Sequence, residues 1–305
     1  MDKLLTVVIP TYNRKQQLLE TLRSFEIQRE FDRYKIIISN NCSNYDVGEW
    51  VTQNFSKEFI DIINIYNRKY NIGGDLNIAS THQLCQSKWM WLMSDDDIVM
   101  PDSLQIVLND IHEMSEIALI KYSIAGFPPL QDKLCNTFNE VLEAFIAPNV
   151  QAGYGQFVFM SNNVINIERV NAYIGEASFY ANTSITQLIP SIFAIKKDNS
   201  AWRISSKRIT NYNDGRSTYA NFYIKINFVN IQLIDIDFSE DEIKKIKKMF
   251  AGFGGFKNDF KTLVAIKSRS KRRLLFYHFW IGNFSLFSIK GILFFIYYHV
   301  KSICK

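Results

Sequence analysis

Apolar runs and amphipathic stretches alternate along the first 124 residues of the chain. The amphipathic stretches have helical periodicity and cover residues 14–29, 47–55, 75–87 and 101–114. The apolar runs are short and rich in β-branched and aromatic residues, which is typical of strands, and cover residues 4–10, 34–39, 60–66, 88–94 and 117–123. Strands that are apolar throughout and alternate with helices predict an α/β domain with a mostly parallel sheet flanked by helices.

The alternation weakens after about residue 125, which indicates a boundary there. Downstream, a glycine-punctuated loop and a strand are expected within residues 151–170, and buried helices within residues 176–195 and 218–230. Residues 239–250 predict a solvated surface helix with Ser239 as its N-cap. We therefore divide the chain into residues 1–125, 126–265 and 266–305.

Polar or acidic segments directly follow three of the predicted strands. They are "PTYNR" after the first strand, "NNCS" after the second and "SDDD" after the fourth. Parallel strands end at the same edge of a sheet, and ligands bind there, so we expect these segments to lie close together.

The acidic segment contains Asp95, Asp96 and Asp97 in succession. Three carboxylates beside a core repel one another and lose hydration, so a positive partner is expected. Mg²⁺ and Mn²⁺ prefer carboxylate oxygens and commonly reach a protein through one or two carboxylates together with phosphates of the substrate. The alternative is a solvated acidic turn that caps the helix beginning near Pro101.

Composition narrows the class of protein. The chain has 305 residues, 47% of them hydrophobic, and a formal net charge of +5 that suits acidic partners such as nucleotides or anionic lipid. Its four cysteines lack the spacing of a metal site or of a disulfide framework, which favours a reducing cytosol: Cys42, Cys85, Cys135 and Cys304. The apolar run at the N-terminus is too short for a signal peptide, so export is not expected.

The last segment combines a basic cluster at residues 267–273 with the aromatic and apolar residues 276–305. Asn283, Lys290 and two glycines interrupt the apolar stretch, so it falls short of the roughly 20 apolar residues of a spanning helix. The pattern predicts peripheral attachment to an anionic membrane surface at the inner face of the cell membrane. A terminal core helix with a basic entry is the alternative.

Four motifs carry a resemblance to a known family: "VVIPTYNR", "IIISNNCSNYD", "YNIGGDLN" and "WLMSDDDIVMPDSL". In this order and spacing, over roughly residues 3 to 115, the chain resembles family 2 glycosyltransferases of the GT-A fold. The resemblance implies a Rossmann-like, mostly parallel sheet with a helical C-terminal extension. Residues 1–125 would bind the nucleotide sugar, residues 126–265 would bind the acceptor, and residues 266–305 would associate with the membrane.

The resemblance also implies an activity and a set of site residues. The activity is that of a metal-dependent, inverting hexosyltransferase that moves a sugar, with a UDP-sugar favoured, to a glycan or lipid-linked acceptor of a surface polysaccharide. No nucleic-acid partner is expected. Mn²⁺ or Mg²⁺ would be held by Asp95, Asp96 and Asp97, and the nucleotide sugar would be bound by Pro10, Thr11, Tyr12, Asn13, Asn40, Asn41, Ser43, Gly73, Asn77, Asp95 and Asp96.

The chain departs from the family pattern in three places. Ser94 stands where the first acid of Asp-any-Asp-Asp is usual, and Asn40 stands where the family has a base-reading Asp. An amide can donate as well as accept, so Asn40 discriminates uracil from cytosine less firmly than a carboxylate. No clear acid pair follows the metal motif; Glu176 is the expected catalytic base, with Glu168 and Asp214 behind it.

Other readings of the same sheet are weaker. A sugar-1-phosphate nucleotidyltransferase needs a Gly-rich basic loop after the first strand, and a dinucleotide-dependent oxidoreductase needs G-x-G-x-x-G there, but "PTYNR" is neither. A catalytically inactive sugar-nucleotide-binding or scaffolding protein of the same fold stays open, because the acid pair is missing.

Overall fold

The computed structural model describes residues 4–114, 116–146, 150–183, 185–211 and 236–251, together with residues 296, 297 and 300. The helix predicted within residues 218–230 lies outside this part of the chain, as does the tail from residue 266 onward apart from those last three residues. Within the described residues, no helix is both long enough and apolar enough to cross a bilayer.

A nine-stranded mixed sheet forms the centre of the fold. Its strands are β1 Leu5–Thr11, β2 Tyr34–Asn40, β3 Ile63–Asn67, β4 Trp89–Leu92, β5 Ile98–Val99, β6 Leu119–Ile124, β7 Lys133–Cys135, β8 Asn163–Asn166 and β9 Trp202–Asn211. The order is β3-β2-β1-β4-β8-β6-β9-β5, with β7 pairing with β9. Strands β5, β7 and β8 run against the other six described strands.

Helices cover the sheet, as the α/β prediction requires. They are α1 Lys15–Glu26, α2 Val47–Asn54, α3 Lys57–Ile60, α4 Gly74–Leu84, α5 Ser103–Glu113, α6 Phe138–Ile146, α7 Val150–Val158, α8 Ile167–Val170, α9 Ile174–Phe179, α10 Ile189–Lys197 and α11 Glu240–Ala251. Strand β1 shows why both faces are covered: Val7 and Ile9 enter a core with α1 and α5, whereas Val8 enters a second core with α6 and α10.

The glycine-punctuated loop predicted within residues 151–170 is wrong, because residues 150–158 form helix α7. A Cβ atom built on Gly153 would lie 1.7 Å from the backbone oxygen of Phe145. The glycine therefore allows α7 to pack directly on the backbone of α6, and no turn is needed to explain it. The strand predicted in the same stretch is present as β8.

Helix α11 begins after Ser239, as predicted. The hydroxyl of Ser239 accepts from the backbone N–H of Glu242 at 3.2 Å, and the carboxylate of Glu242 accepts from the backbone N–H of Ser239 at 2.7 Å. This reciprocal pair is a capping box. The prediction of a solvated helix holds for one face only, since Ile246 and Met249 are buried in the core that contains α6.

Candidate active site

The loops that follow β1, β2 and β4 meet at one edge of the sheet. The hydroxyl of Thr11, at the end of β1, donates to Asp95 Oδ2 at 2.7 Å. The backbone N–H of Asn13 donates to the hydroxyl of Ser43 at 3.0 Å, and Asn13 Oδ1 accepts from the backbone N–H of Asn44 at 2.8 Å. The expectation that "PTYNR", "NNCS" and "SDDD" share an edge is therefore confirmed.

Arg14 provides the positive charge that the acidic segment requires. Its Nη1 atom lies 3.1 Å from Asp95 Oδ1 and 2.6 Å from Asp96 Oδ2. The hydroxyl of Ser94 donates to the other oxygen of Asp96 at 2.5 Å. Burial raises the pKa of the Asp95 carboxyl to about 6, although Arg14 and Thr11 act to lower it. Sequence reasoning anticipated a cation here but did not identify Arg14.

The third carboxylate of the acidic segment is bonded to a distant part of the chain. Asp97 is buried and its Oδ2 accepts from the hydroxyl of Ser161 at 2.6 Å. The same hydroxyl accepts from the backbone N–H of Ser94 at 2.8 Å, so Ser161 ties the turn of the acidic segment to β8. Among the described residues no three His, Cys, Asp or Glu side chains converge as a metal site would need. Sequence reasoning missed Ser161, which lies 64 positions from Asp97.

The carboxylates of Asp95 and Asp96 are arranged as a hard divalent cation would need. Asp95 Oδ1 and Asp96 Oδ2 both approach one nitrogen atom of Arg14, so their oxygens point to a common position. Two carboxylates at one position suit Mg²⁺ or Mn²⁺ when phosphate and water supply the other ligands. A cation at that position requires the Arg14 guanidinium to move away.

Two tyrosines lie in the loops that follow β1 and β2. Tyr12 directly follows Pro10 and Thr11 of β1 and is 44% exposed. The hydroxyl of Tyr45 is buried and, in the part of the chain described, has no hydrogen-bond partner. Burial raises the pKa of Tyr45 to about 12, and the negative charge of Asp95 adds to this rise. Tyr45 lies within the quoted second motif, but sequence reasoning gave it no role.

Asn40 is committed to contacts within the protein. It is 5% exposed, its Oδ1 accepts from the backbone N–H of Ser43 at 3.0 Å, and its Nδ2 donates to Asn67 Oδ1 at 2.8 Å. Asn67, at the end of β3, is the exposed member of the pair. Sequence reasoning did not single out Asn67, because its relation to Asn40 comes from strand register.

Asn41 and Gly73 shape the loop between β3 and α4. The side chain of Asn41 is buried, donates to Asn71 Oδ1 at 2.9 Å and to the backbone oxygen of Gly73 at 3.3 Å, and accepts from the backbone N–H of Ile72 at 3.0 Å. Gly73 has a φ of +87°, which L side chains rarely adopt, and it precedes α4. These residues hold the loop against the end of β2.

The side chain of Asn77 is also hydrogen-bonded within the protein. It is 3% exposed; its Oδ1 accepts from the hydroxyl of Ser39 at 2.8 Å and from Arg68 Nε at 3.0 Å, and its Nδ2 donates to the backbone oxygen of Ser39 at 3.0 Å. The guanidinium of Arg68 also bonds to Ser80 and lies over the ring of Tyr66. Asn77 thus joins α4 to β2, and both polar atoms of its side chain are engaged within the protein.

Glu176 lies in the first turn of α9 and is partly exposed. Within the described residues its carboxylate has no hydrogen-bond or ion-pair partner. Glu168 instead pairs with Lys88 at 3.4 Å, and Asp214 lies outside the described residues. The role of Glu176 as a catalytic base stays a prediction.

Comparison with known proteins identifies a family whose model covers this part of the chain. The model of the family described as "Glycosyl transferase family 2" matches residues 6–165. The abequosyltransferase RfbV of Salmonella typhimurium is 28% identical over 191 residues, which are 58% of this chain and 56% of that protein. The GalNAc(5)-diNAcBac-PP-undecaprenol beta-1,3-glucosyltransferase of Campylobacter jejuni is 27% identical over 109 residues, 36% of this chain and 35% of that one. The chain thus spans between about a third and just over half of the length of these relatives.

Solved structures share the fold. TarS 1–349 of S. aureus superposes with a TM-score of 0.60 at 12% identity, covering 98% of this chain and 88% of that one, and the same fragment was solved with UDP-GlcNAc. The mannosyltransferase PcManGT of Pyrobaculum calidifontis, solved with GDP-Man and Mn²⁺, gives a TM-score of 0.51 at 10% identity, covering 98% and 87%. At these identities the likeness shows the fold alone, and it confirms the GT-A fold expected from the sequence.

Proposed function

Because the chain belongs to glycosyl transferase family 2, we propose that it moves a sugar from a nucleotide sugar to a glycan or lipid-linked acceptor in the synthesis of a surface polysaccharide. The two named relatives support this class of reaction: one is an abequosyltransferase and the other a glucosyltransferase acting on a PP-undecaprenol glycan. The donor that we propose is a pyrimidine nucleotide sugar. Uridine is the base that the sequence favours, and TarS was solved with UDP-GlcNAc.

The observation that carries the proposal is the contact of Arg14 with Asp95 and Asp96 at the ends of β1 and β4. A departing nucleoside diphosphate gains negative charge, so its site needs positive groups within reach of the phosphates. Arg14 is such a group and is only partly buried, with 29% of its side chain exposed. When it leaves the carboxylates for the diphosphate, their position becomes open to a divalent cation.

We propose that Asp95 and Asp96 hold Mn²⁺ or Mg²⁺, and that Asp97 does not, because its carboxylate is bonded to Ser161. A bound cation would neutralise charge on the leaving phosphates. Thr11 keeps the Asp95 carboxylate in place through its 2.7 Å hydrogen bond.

The transfer that we propose inverts the anomeric carbon in one displacement. The acceptor hydroxyl oxygen forms a bond to that carbon while the bond to the diphosphate oxygen breaks, and the hydroxyl proton passes to a carboxylate base. Glu176 is the residue we propose for the base, since its carboxylate has no partner among the described residues. Peripheral attachment at the cytoplasmic membrane face is proposed from the sequence of residues 267–305.

A panel of nucleotide sugars tests the proposal. The full chain is screened with each sugar in MnCl₂ by thermal shift, and release of nucleoside diphosphate without acceptor is then measured for those that bind. We expect at least one donor to bind and to be slowly hydrolysed, and we expect Asp96→Asn to lose this hydrolysis. The control Asp61→Asn changes an exposed aspartate after α3 and should hydrolyse normally.

The outcomes separate the two candidate functions. Binding of a donor without hydrolysis, and without transfer to any lipid-linked or glycan acceptor, supports the inactive binding protein. Absence of binding across the panel contradicts both functions.

A further inference from the structure

Three polar side chains stand in one row across the carboxyl ends of β1, β2 and β3. Strand register pairs Thr11 with Asn40 and Asn40 with Asn67. Thr11 and Asn40 are buried at 3% and 5% exposure, and Thr11 is bonded to Asp95, whereas Asn67 is exposed. A ligand that approaches this part of the edge therefore meets the amide of Asn67 and not that of Asn40.

The backbone fixes which end of each amide points outward. The N–H of Ser43 can only donate, so the atom of Asn40 that it meets at 3.0 Å must be the oxygen. The amino group of Asn40 then faces Asn67 and donates to its oxygen at 2.8 Å. The amino group of Asn67 is left at the outer end of this chain of amides, and in the described part of the protein it has no hydrogen-bond partner.

An outward amino group distinguishes the two pyrimidines. On the edge formed by O2 and N3, cytosine presents two acceptors, whereas uracil presents the acceptor O2 and the donor N3–H. An amino group that faces this edge at N3 is therefore satisfied by cytosine and opposed by uracil. We infer that Asn67, oriented by Asn40, selects the base of the donor, and that it favours a cytidine diphosphate sugar over a uridine diphosphate sugar.

This inference rests on the proposed function and reverses the preference for uridine that the sequence suggested. That preference came from the resemblance, which placed Asn40 at the base and took its amide to weaken the discrimination between uracil and cytosine. In this inference Asn40 is a positioning residue: it is buried, it is bonded to Ser43 and Asn67, and it acts on the base through the amide of Asn67.

Titration calorimetry of the full chain with CDP and with UDP, each in the same MnCl₂ buffer, tests the inference. The phosphates are identical, so the ratio of the two affinities isolates the base. We expect CDP to bind about tenfold more tightly than UDP, because a tenfold difference in affinity corresponds to about one hydrogen bond. Asn67→Ala should bring the ratio to about one, and the control Asn64→Ala, an exposed asparagine of the same strand, should leave it unchanged.

Two carboxylate variants should reverse the ratio. Asn67→Asp keeps one oxygen for Asn40 and presents the other to the base as an acceptor, so UDP should bind more tightly than CDP. Asn40→Asp can no longer donate, which obliges Asn67 to turn its amino group inward and its oxygen outward; UDP should again be favoured. In the double variant Asn40→Asp/Asn67→Ala we expect no preference, because Asn40 acts through Asn67.

Each other outcome overturns the inference. If the wild type binds UDP as tightly as CDP, or if Asn67→Ala keeps the wild-type ratio, Asn67 does not select the base. If the double variant still favours UDP, Asn40 contacts the base directly. If neither nucleotide binds, the proposed function is refuted together with the inference. If both bind without the predicted ratios, only the inference is refuted.

Discussion

Replacing Arg14 by Gln tests whether this residue is the resident counter-charge of the two carboxylates. The Arg14 guanidinium lies 3.1 Å from Asp95 and 2.6 Å from Asp96, whose side chains are 6% and 21% exposed. At an effective dielectric constant of about 20, one such contact is worth roughly 5 kcal/mol before desolvation and solvent screening are subtracted. Removing one partner of a buried pair costs about 3–5 kcal/mol. Because Arg14 is partly exposed, we expect a loss of about 2 kcal/mol in the free energy of unfolding at pH 7.5.

Urea unfolding with and without MnCl₂ measures this loss and its rescue. In the wild type a cation must displace Arg14, whereas in Arg14→Gln the position between the carboxylates is open, so Mn²⁺ should stabilise the variant more than the wild type. Arg23→Gln is the control, since Arg23 is exposed on α1 and should change stability by less than about 0.5 kcal/mol. The reasoning is refuted if Arg14→Gln is as mild as Arg23→Gln, or if Mn²⁺ stabilises variant and wild type equally.

Three further predictions concern the fold and the tail. Gly153→Ala should lower the free energy of unfolding by more than about 3 kcal/mol, because its Cβ would meet the Phe145 backbone, whereas Gly175→Ala has open space and should be nearly neutral; urea unfolding compares them. Burial lowers the pKa of His82 from 6.5 to about 4, so the unfolded chain binds more protons at this residue in this window, and the contribution of His82 to stability falls as the pH drops through it, by about 3 kcal/mol in total; the raised pKa of Asp95 contributes in the opposite direction. His82→Gln should therefore lose less stability than the wild type as the pH falls through this window, and equal losses would contradict the assignment. Deleting residues 267–305 should release the protein from anionic vesicles in a flotation assay, as high salt should, while nucleotide affinity stays the same; unfolding of the truncated chain would instead identify the tail as core.

The sequence was sufficient for the part of the fold that depends on local pattern. Apolar runs predicted β1 to β4 and β6 in their observed places, and polar residues directly after β1, β2 and β4 predicted the edge where Thr11 meets Asp95. Strand endings carry this information because parallel strands end on the same side.

What the sequence could not supply depends on long-range geometry. Ser161 binds Asp97 across 64 positions, and nothing in the local pattern marks a serine for that role. The outward orientation of the Asn67 amino group follows from the hydrogen bond that the backbone N–H of Ser43 donates to Asn40, and from the register between β2 and β3. Gly153 was interpreted as a turn residue because the sequence does not show that a Cβ atom at this position would lie 1.7 Å from the backbone oxygen of Phe145 in α6.

The most direct test of the central claim, that this edge binds a nucleoside diphosphate with a divalent cation on Asp95 and Asp96, is calorimetric titration with CDP and UDP in the presence and absence of MnCl₂. We expect Mn²⁺ to strengthen binding to the wild type, and Asp96→Asn to lose that gain without a loss of secondary structure. Asp97→Asn should keep the gain but unfold more readily, because its carboxylate is bonded to Ser161. Equal affinity with and without Mn²⁺ in the wild type, or loss of the gain in Asp97→Asn alone, would contradict the account.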